Sequence, residues 1–247
     1  MKWNSNLYND KHDFVAEYGK GLLEFIPKNE NQSILDLGCG TGTLTSQLVP
    51  FASRVVGIDS SSSMIDTAKK QYENIEFLVG DALNLPFERE FDVVFSNAVF
   101  HWIVDHNKLL QSVHKVLKSN GILICEFGGE GNIASIEDAF LQACYEHQIV
   151  YKPKFNFPSA NTFANCLSAN GFVSDLVYDY DRPTVLKDGA RGLENWMRQF
   201  FASEFTVMSK DTQVAIIKQV EEKTKGKLWN GKEWVADYRR LRVIAHI

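Results

Sequence analysis

The sequence predicts a doubly wound α/β fold, in which helices cover both faces of a parallel sheet. Three observations support this prediction: short apolar runs alternate with helical patterns, a glycine-rich turn directly follows the first run, and polar residues follow several later runs. The chain has 247 residues, of which 45% are hydrophobic and 23% are charged. A chain of this length and composition buries a large core without disulfide or metal cross-links.

Five apolar runs of strand length follow one another in the first half of the chain, each bounded by turn residues or a helical pattern. They are Ser33–Leu37, Arg54–Ile58, Ile75–Val79, Phe91–Ser96 and Gly121–Phe127. The helical patterns before and between them are Asp13–Ile26, a helix from about Thr43, Met64–Gln71 and Asn107–Leu117. Because parallel neighbours need such crossovers, we expect five parallel strands.

Longer helical patterns dominate the second half of the chain. Two further predicted strands there are Phe172–Tyr180 and Trp234–Ile247. We therefore expect a core, 1–127, and a second part, 128–247, that completes the sheet. Within that part, 128–170 and 183–232 are predicted to be helical insertions over the carboxyl ends of the strands, where open α/β folds bind ligands. They would form a lid over a substrate.

The formal net charge of −5 disfavours a nucleic acid as partner, because such binding depends on clustered Lys and Arg. Beyond residue 150, however, Lys and Arg outnumber Asp and Glu, which suits an anionic small molecule; the alternative is scattered, solvated lysines such as Lys223, Lys225 and Lys227. No stretch approaches the roughly 18 apolar residues of a membrane span, and the first residues resemble no secretion signal. The four cysteines form no CxxC pair. We therefore expect a cytoplasmic protein without a membrane partner, either a monomer or a homodimer.

The turn after the first strand has the pattern G-x-G-x-G at 38–42, and Asp36 precedes it. This is one residue tighter than the G-x-G-x-x-G loop that binds dinucleotides. A carboxylate at Asp36 would repel a pyrophosphate and suits a ligand with an ammonium or sulfonium group. The loop therefore argues against a nicotinamide-dependent oxidoreductase.

Polar side chains at the ends of the next strands fit the parts of a nucleoside. Asp59 lies 23 positions after Asp36, where a carboxylate can accept hydrogen bonds from two ribose hydroxyls. Asp81 can accept from the exocyclic amine of adenine, and Met64 can pack on the ring. Asn97 ends the fourth strand. Each residue also has a structural alternative: Asp59 as a helix cap, Asp81 and Asn97 as turn residues, and Met64 as a core residue.

In series, these motifs resemble those of the class I S-adenosylmethionine-dependent methyltransferases. The segments that carry the resemblance are ILDLGCGTG at 34–42, VVGIDSS at 55–61, GDA at 80–82 and FDVVFSNAVFHW at 91–102. A looser resemblance points to the trans-aconitate and malonyl-carrier-protein methyltransferases. It rests on Trp3, Tyr8, the HW pair at 101–102, EFGGEGN at 126–132, FPS at 157–159 and YDRPT at 180–184.

The class I resemblance implies a Rossmann-like, seven-stranded, mostly parallel sheet. It also implies S-adenosylmethionine as the cofactor and S-adenosylhomocysteine as the product, with 1–127 as the cofactor-binding core. The implied cofactor-binding residues are Tyr8, Asp36, Gly38, Cys39, Gly40, Gly42, Asp59, Ser60, Met64, Asp81, Ala82 and Asn97. The backbone near Gly38 would receive the methionine ammonium, and Ala82 N–H would face an adenine nitrogen. Trp3 and Tyr8 would lie on an N-terminal flap helix.

The looser resemblance suggests O-methylation of a small organic-acid carboxylate. Methyl transfer from a sulfonium is an in-line displacement that requires no metal, and the scattered histidines form no metal-binding motif. A carboxylate is already ionised at pH 7, whereas an amine or a hydroxyl acceptor needs a general base. His101 is the candidate base, with a structural role as the alternative, and Trp102 is a candidate substrate residue.

Arginines in the predicted lid are candidates for binding an anionic acceptor, because a guanidinium matches a carboxylate with two hydrogen bonds. They are Arg182, Arg191 and Arg198. Glu194 lies between the last two at i+3 and i+4 spacing, so a surface ion-pair ladder is the alternative. Two other functions stay open. An RNA or protein methyltransferase is disfavoured by the acidic charge and by SNAVF at 96–100 in place of an NPPY-type motif, and a non-catalytic S-adenosylmethionine-binding module is compatible with the same acidic residues.

Overall fold

Five parallel strands lie where the sequence predicts them. The structure is a computed structural model and describes residues 21–247. The strands are β1 (Ser33–Leu37), β2 (Arg54–Asp59), β3 (Glu76–Val79), β4 (Phe91–Asn97) and β5 (Leu117–Gly128). Every neighbouring pair among them is parallel. In the first two, β-branched and leucine side chains are buried on both faces, as in a sheet covered by helices.

Two later strands complete a seven-stranded sheet. They are β6 (Val173–Asp181) and, at the chain end, β9 (Arg239–His246), and the strand order is β3-β2-β1-β4-β5-β9-β6. The order reverses direction between β1 and β4, which makes their carboxyl ends the switch point at which open α/β sheets bind ligands. The predicted doubly wound, seven-stranded fold is confirmed.

A small antiparallel ribbon accounts for one difference from the prediction. It pairs β7 (Thr184–Val185) with β8 (Val235–Ala236). The sequence predicted one strand over 234–247, but the chain turns between β8 and β9, where Tyr238 N–H donates to Ala236 O at 2.9 Å. The segment 234–247 therefore contributes β8 to the ribbon and β9 to the seven-stranded sheet.

The helices begin at polar caps where the sequence offers them. They are α1 (Thr45–Leu48), α2 (Ser62–Gln71), α3 (His106–Val116), α4 (Ala134–Glu146), α5 (Ala160–Ala169), α6 (Gly192–Phe200), α7 (Ala202–Phe205) and α8 (Lys210–Leu228). Ser61, Asp105, Ser159 and Ser209 each accept a backbone hydrogen bond at the start of a helix. Between residues 21 and 247, no helix is both long and apolar enough to cross a bilayer.

The described chain divides into two compact units. The first contains 21–130, 155–179 and 241–247, and the second contains 131–154 and 180–240. This corrects the predicted extent of the insertion 128–170, because α5 belongs to the sheet unit. Phe163 and Leu167 of α5 are fully buried in its core, and the ring of Phe163 lies 5.0 Å from that of Phe127.

The second unit has its own aromatic core. The rings of Phe140 and Phe201 stack with centroids 4.2 Å apart, and Tyr151 and Phe205 meet Phe140 edge to face at 5.0 and 5.8 Å. Lys154 Nζ forms an ion pair with Glu204 at 2.8 Å. Burial of these rings explains why a segment outside the sheet forms a unit of its own. That this unit acts as a lid stays a prediction.

Candidate cofactor site

A cavity of about 320 Å³ lies at the carboxyl ends of β1, β2, β3 and β4. Its lining comes entirely from the first unit: Leu37, Gly38, Gly40, Ile58, Asp59, Ser60, Met64, Gly80, Asp81, Ala82, Asn97, Ala98, Val99, Trp102 and Ile103. The volume is at the lower end of the range for small-molecule sites. The residues that the sequence placed at successive strand ends are therefore brought together.

The glycine turn has the shape of a tight strand-to-helix connection. Gly38 and Cys39 N–H both donate to Ile58 O, at 2.7 and 3.1 Å. A Cβ on Gly38, whose φ is +78°, would lie 2.1 Å from Cγ2 of Val99. Gly40 has φ +55°, but a Cβ there would have no atom within 4 Å. Packing therefore requires glycine at 38, whereas Gly40 leaves open space in the cavity wall.

Asp36 lies beneath this turn rather than in the cavity lining. It is 3% exposed, and Thr45 Oγ1 donates to its Oδ2 at 2.6 Å. Burial, reinforced by the charge of Asp59, raises the pKa of Asp36 to about 7, although the Thr45 hydrogen bond acts in the opposite direction. Asp36 can therefore act on a bound cation through its charge, and it exchanges a proton near neutral pH.

Asp59 presents its carboxylate to the cavity and is held by the backbone on both sides. Gly40 N–H donates to its Oδ2 at 3.0 Å, and Ser61 N–H donates to its Oδ1 at 2.9 Å. The Ser60 N–H also acts on this carboxylate, so three backbone donors orient it. Burial raises the pKa of Asp59 despite these hydrogen bonds. The structural alternative and the binding function are thus compatible, because the backbone contacts orient the same carboxylate toward the cavity.

Asp81 and Met64 likewise combine a structural role with a place in the cavity lining. Asp81 Oδ1 accepts from Leu83 N–H at 2.9 Å, as a turn residue does, and Asp81 also lines the cavity. Met64 is 3% exposed, as a core residue is, and lines the cavity as well. After Asn97, Ala98 adopts φ +61° and donates its N–H to the Glu126 carbonyl at 2.7 Å. Such left-handed backbone is costly without glycine and is concentrated at functional sites.

His101 is placed as the structural alternative expects. It is 7% exposed, and Gly128 N–H donates to its Nδ1 at 3.2 Å. In the neutral ring the hydrogen is then on Nε2, so neither nitrogen offers a free lone pair. The rings of Trp102 and Phe157 lie 5.5 and 5.7 Å away. Among the described residues that line the cavity, Trp102 is present and His101 is not.

The three candidate arginines all belong to the second unit. Arg198 Nε donates to Glu194 Oε1 at 2.9 Å, which is the ion pair that the alternative reading expects. Arg182 lies over the Tyr180 ring at 5.1 Å and donates to the Tyr180 hydroxyl. Arg191 ends a short 3₁₀ turn and is exposed. Their predicted role toward an acceptor stays a prediction.

Several lining residues were missed by sequence reasoning. Val99 and Ile103 are apolar residues in a loop, and nothing in their pattern separates them from core residues. Trp3 and Tyr8, which were predicted to lie on a flap helix, are outside the described residues. Within the part of the chain that is described, no group of three or more His, Cys, Asp or Glu side chains could hold a metal ion.

Known methyltransferases are similar to this chain in sequence. Residues 35–125 match the family described as a methyltransferase domain. An uncharacterized methyltransferase of Schizosaccharomyces pombe is 31% identical over 260 aligned positions, which cover 99% of this chain and 97% of that protein. A trans-aconitate 2-methyltransferase of Deinococcus radiodurans is 34% identical over 139 positions, or 55% of this chain and 53% of that protein. The chain thus matches about half the length of this second relative.

Solved structures agree on the fold. YcgJ protein from Bacillus subtilis superposes with a TM-score of 0.65 at 18% identity, covering 93% of this chain and 98% of that one. Geranyl diphosphate methyltransferase in complex with S-adenosylmethionine gives a TM-score of 0.59 at 14% identity, covering 97% and 88%. With the near full-length match to a methyltransferase and the matched domain, these findings show that the chain belongs to the class I S-adenosylmethionine-dependent methyltransferases.

Proposed function

We propose that this enzyme methylates a carboxylate oxygen of a small organic acid and releases a methyl ester. One observation carries the proposal: among the described residues that line the cavity there is no His, Cys, Tyr, Lys or Arg. The acidic side chains there, Asp59 and Asp81, are the ones we assign to the cofactor. An acceptor that is already ionised at pH 7 needs no base, and a carboxylate meets that condition.

The names of relatives support the same acceptor class. Besides the trans-aconitate 2-methyltransferase, a malonyl-[acyl-carrier protein] O-methyltransferase of Priestia megaterium is 35% identical over 124 positions, or 48% of this chain and 43% of that protein. Both names describe methylation of acids. The matched segments cover about half of each relative, so they support the class of chemistry rather than one acceptor.

The cavity fits S-adenosylmethionine. Asp59, which lines the cavity, would accept from the ribose hydroxyls, and Asp81 and the Ala82 N–H would hold the edge of adenine. Gly40 leaves open space that any side chain would fill. The bound cofactor supplies a methyl group on a positively charged sulfur, so the reaction is an in-line displacement. The buried charge of Asp36 favours that cation from beneath the turn.

The remaining task of the protein is to orient the acceptor and exclude water. Val99, Trp102 and Ile103 contribute an apolar wall to the cavity. Arg182, Arg191 and Arg198 remain the predicted partners of an anionic acceptor, and Arg198 is paired with Glu194. His101 holds the Gly128 backbone and takes no part in proton transfer.

A mass-spectrometric screen tests the acceptor class. The enzyme and S-adenosylmethionine are incubated with di- and tricarboxylic acids, including trans-aconitate, and with a matched set of amines, phenols, short RNAs and peptides. We expect methyl esters and no other methylated product. Methylated amines, phenols, RNA or peptides without esters would contradict the proposal, and cofactor binding without any product would indicate a non-catalytic module.

His101→Asn provides the second arm of this test. Asparagine Oδ1 takes the position of imidazole Nδ1 and can still accept from Gly128 N–H, so the fold is retained while the imidazole is lost. We expect kcat with a carboxylate acceptor to change less than threefold. A loss of 100-fold or more with an intact fold would show that the imidazole acts as a base.

Asp59→Ala should weaken binding of S-adenosylmethionine by about 1–3 kcal/mol, or roughly 5- to 150-fold in Kd, because the carboxylate that holds the ribose is lost. Isothermal titration calorimetry measures the change. Asp66→Ala is the matched control, since Asp66 is an exposed aspartate on α2 outside the cavity lining. Equal affinities for the two variants would remove Asp59 from the site.

A further inference from the structure

The wall that carries Trp102 and Ile103 belongs to no regular strand. After β4 the chain passes through the left-handed Ala98 and a single 3₁₀ turn, Phe100–Trp102, and it enters α3 at the cap Asp105. Within this loop, Trp102 N–H donates to Val99 O at 2.9 Å and Ile103 N–H donates to Phe100 O at 3.0 Å. Two further hydrogen bonds tie the first half of the loop to β5, from Ala98 N–H to Glu126 O at 2.7 Å and from Gly128 N–H to His101 Nδ1 at 3.2 Å.

Asn156 holds the second half of the loop from a distant part of the sequence. Its backbone N–H donates to His101 O at 2.9 Å. Its side-chain Nδ2 donates to Val104 O at 2.9 Å and lies 3.3 Å from His106 Nδ1 and 3.4 Å from Ile103 O. A single residue therefore contacts polar groups on both sides of Trp102 and Ile103.

His106 completes the anchor. Its Nε2 lies 3.0 Å from Phe100 O, so the hydrogen is on Nε2, and Nδ1 is left to accept from Asn156. Burial lowers the pKa of His106, which keeps the ring in this neutral form. The two polar side chains thus join the start of the loop, at Phe100, to its end, at Val104.

The residues beside Asn156 pack on the same wall. The Phe155 ring meets the Trp102 indole edge to face at 4.8 Å, and Phe157 stacks on Phe155 at 5.3 Å. The hydrogen bonds of Asn156 therefore also place an aromatic surface against the indole. Phe155 thus packs directly on Trp102, which lines the cavity.

We propose that Asn156 is a positioning residue that fixes the Trp102–Ile103 wall and thereby determines how the methyl acceptor is held. The inference rests on the part of the proposed function that concerns the methyl acceptor. The assignment of S-adenosylmethionine depends on other residues. Loss of the Asn156 amide frees the loop and raises the acceptor KM, while the cofactor-binding carboxylates stay in place.

Asn156→Ala and Asn156→Asp test this role. The aspartate is nearly isosteric, but it cannot donate to Val104 O, so we expect it to fail as alanine does. We expect acceptor KM to rise about tenfold in both variants, with the Kd for S-adenosylhomocysteine changed less than twofold. Hydrogen exchange of 98–106 should accelerate by a similar factor.

Asn170→Ala is the matched control. Asn170 is also an amide that ties two segments of the first unit, since its Nδ2 donates to Asn107 Oδ1 at 2.9 Å and to Cys166 O at 2.8 Å. These partners do not lead to the cavity, so a loss of stability without a change in KM is expected.

The outcomes separate the two proposals. Unchanged exchange in 98–106, or a KM shift equal in the Asn170→Ala control, would overturn the role of Asn156 whatever the acceptor is. A loss of cofactor affinity without a change in acceptor KM would also overturn it. If the acceptor found by the screen is not a carboxylate, the proposed function fails, whereas the exchange and KM measurements with that acceptor still decide the role of Asn156.

Discussion

Gly38→Ala should destabilise the protein by roughly 2–5 kcal/mol, measured by urea unfolding. The left-handed backbone costs an alanine about 1–2 kcal/mol, and a Cβ only 2.1 Å from Val99 Cγ2 forces neighbouring atoms to move. Overpacking of this kind adds about 1–3 kcal/mol. If the variant does not fold, Gly38→Ala combined with Val99→Ala should recover part of the stability, because it removes the two nearest atoms.

Gly40→Ala is the control within the same turn. An alanine at position 40 also adopts a left-handed backbone, but its Cβ meets no atom within 4 Å, so the loss of stability should stay at about 1–2 kcal/mol. Because Gly40 lines the cavity, the methyl group should instead weaken S-adenosylmethionine binding at least tenfold. Equal losses of stability in the two variants would contradict the distinction between a packed glycine and an open one.

Asp36→Asn should make stability less dependent on pH. Burial raises the pKa of Asp36 from 3.8 to about 7, so the folded protein keeps a proton that the unfolded chain releases. The stability from this group is fully present below about pH 4 and is lost as pH rises to about 7. The free energy of unfolding of Asp36→Asn, measured relative to that of the unchanged protein, should therefore rise by about 2–3 kcal/mol from pH 5 to pH 8.

The comparison is made by urea unfolding at both pH values, with the exposed Asp66→Asn as control. Asparagine keeps an acceptor for Thr45, but it buries an amide without an assigned partner, so a constant penalty of about 1–3 kcal/mol is expected at every pH. Only the change with pH reports the titration. An offset that is the same at pH 5 and pH 8 would show that Asp36 does not titrate in this range.

The same group should couple cofactor binding to pH. A bound cation favours the ionised carboxylate, so binding releases a proton below pH 7, and the Kd for S-adenosylmethionine should rise as pH falls, by at most about tenfold per unit. Asp36→Asn should abolish this slope and bind weakly throughout. Calorimetry in buffers of different ionisation enthalpy measures the released proton directly.

Much of the fold is predictable because it depends on local patterns. Buried parallel strands are continuous apolar runs, and β1, β2 and β4 stand out for that reason. The glycine turn and the carboxylates Asp59 and Asp81 are predictable too, since the carboxyl ends of parallel strands meet at one edge. The sequence could not separate a binding role from a structural one at these positions, and the structure shows that one side chain has both kinds of contact.

The sequence by itself determined the α/β fold, the glycine-rich turn at 38–42 and the order of the polar strand ends. Only the tertiary structure decided that His101 is a buried anchor, that α5 packs in the sheet unit, and that Asn156 reaches the loop of Trp102. The reason is physical: periodicity records which face of an element is buried, whereas a hydrogen bond between residues 50 apart depends on how whole elements pack.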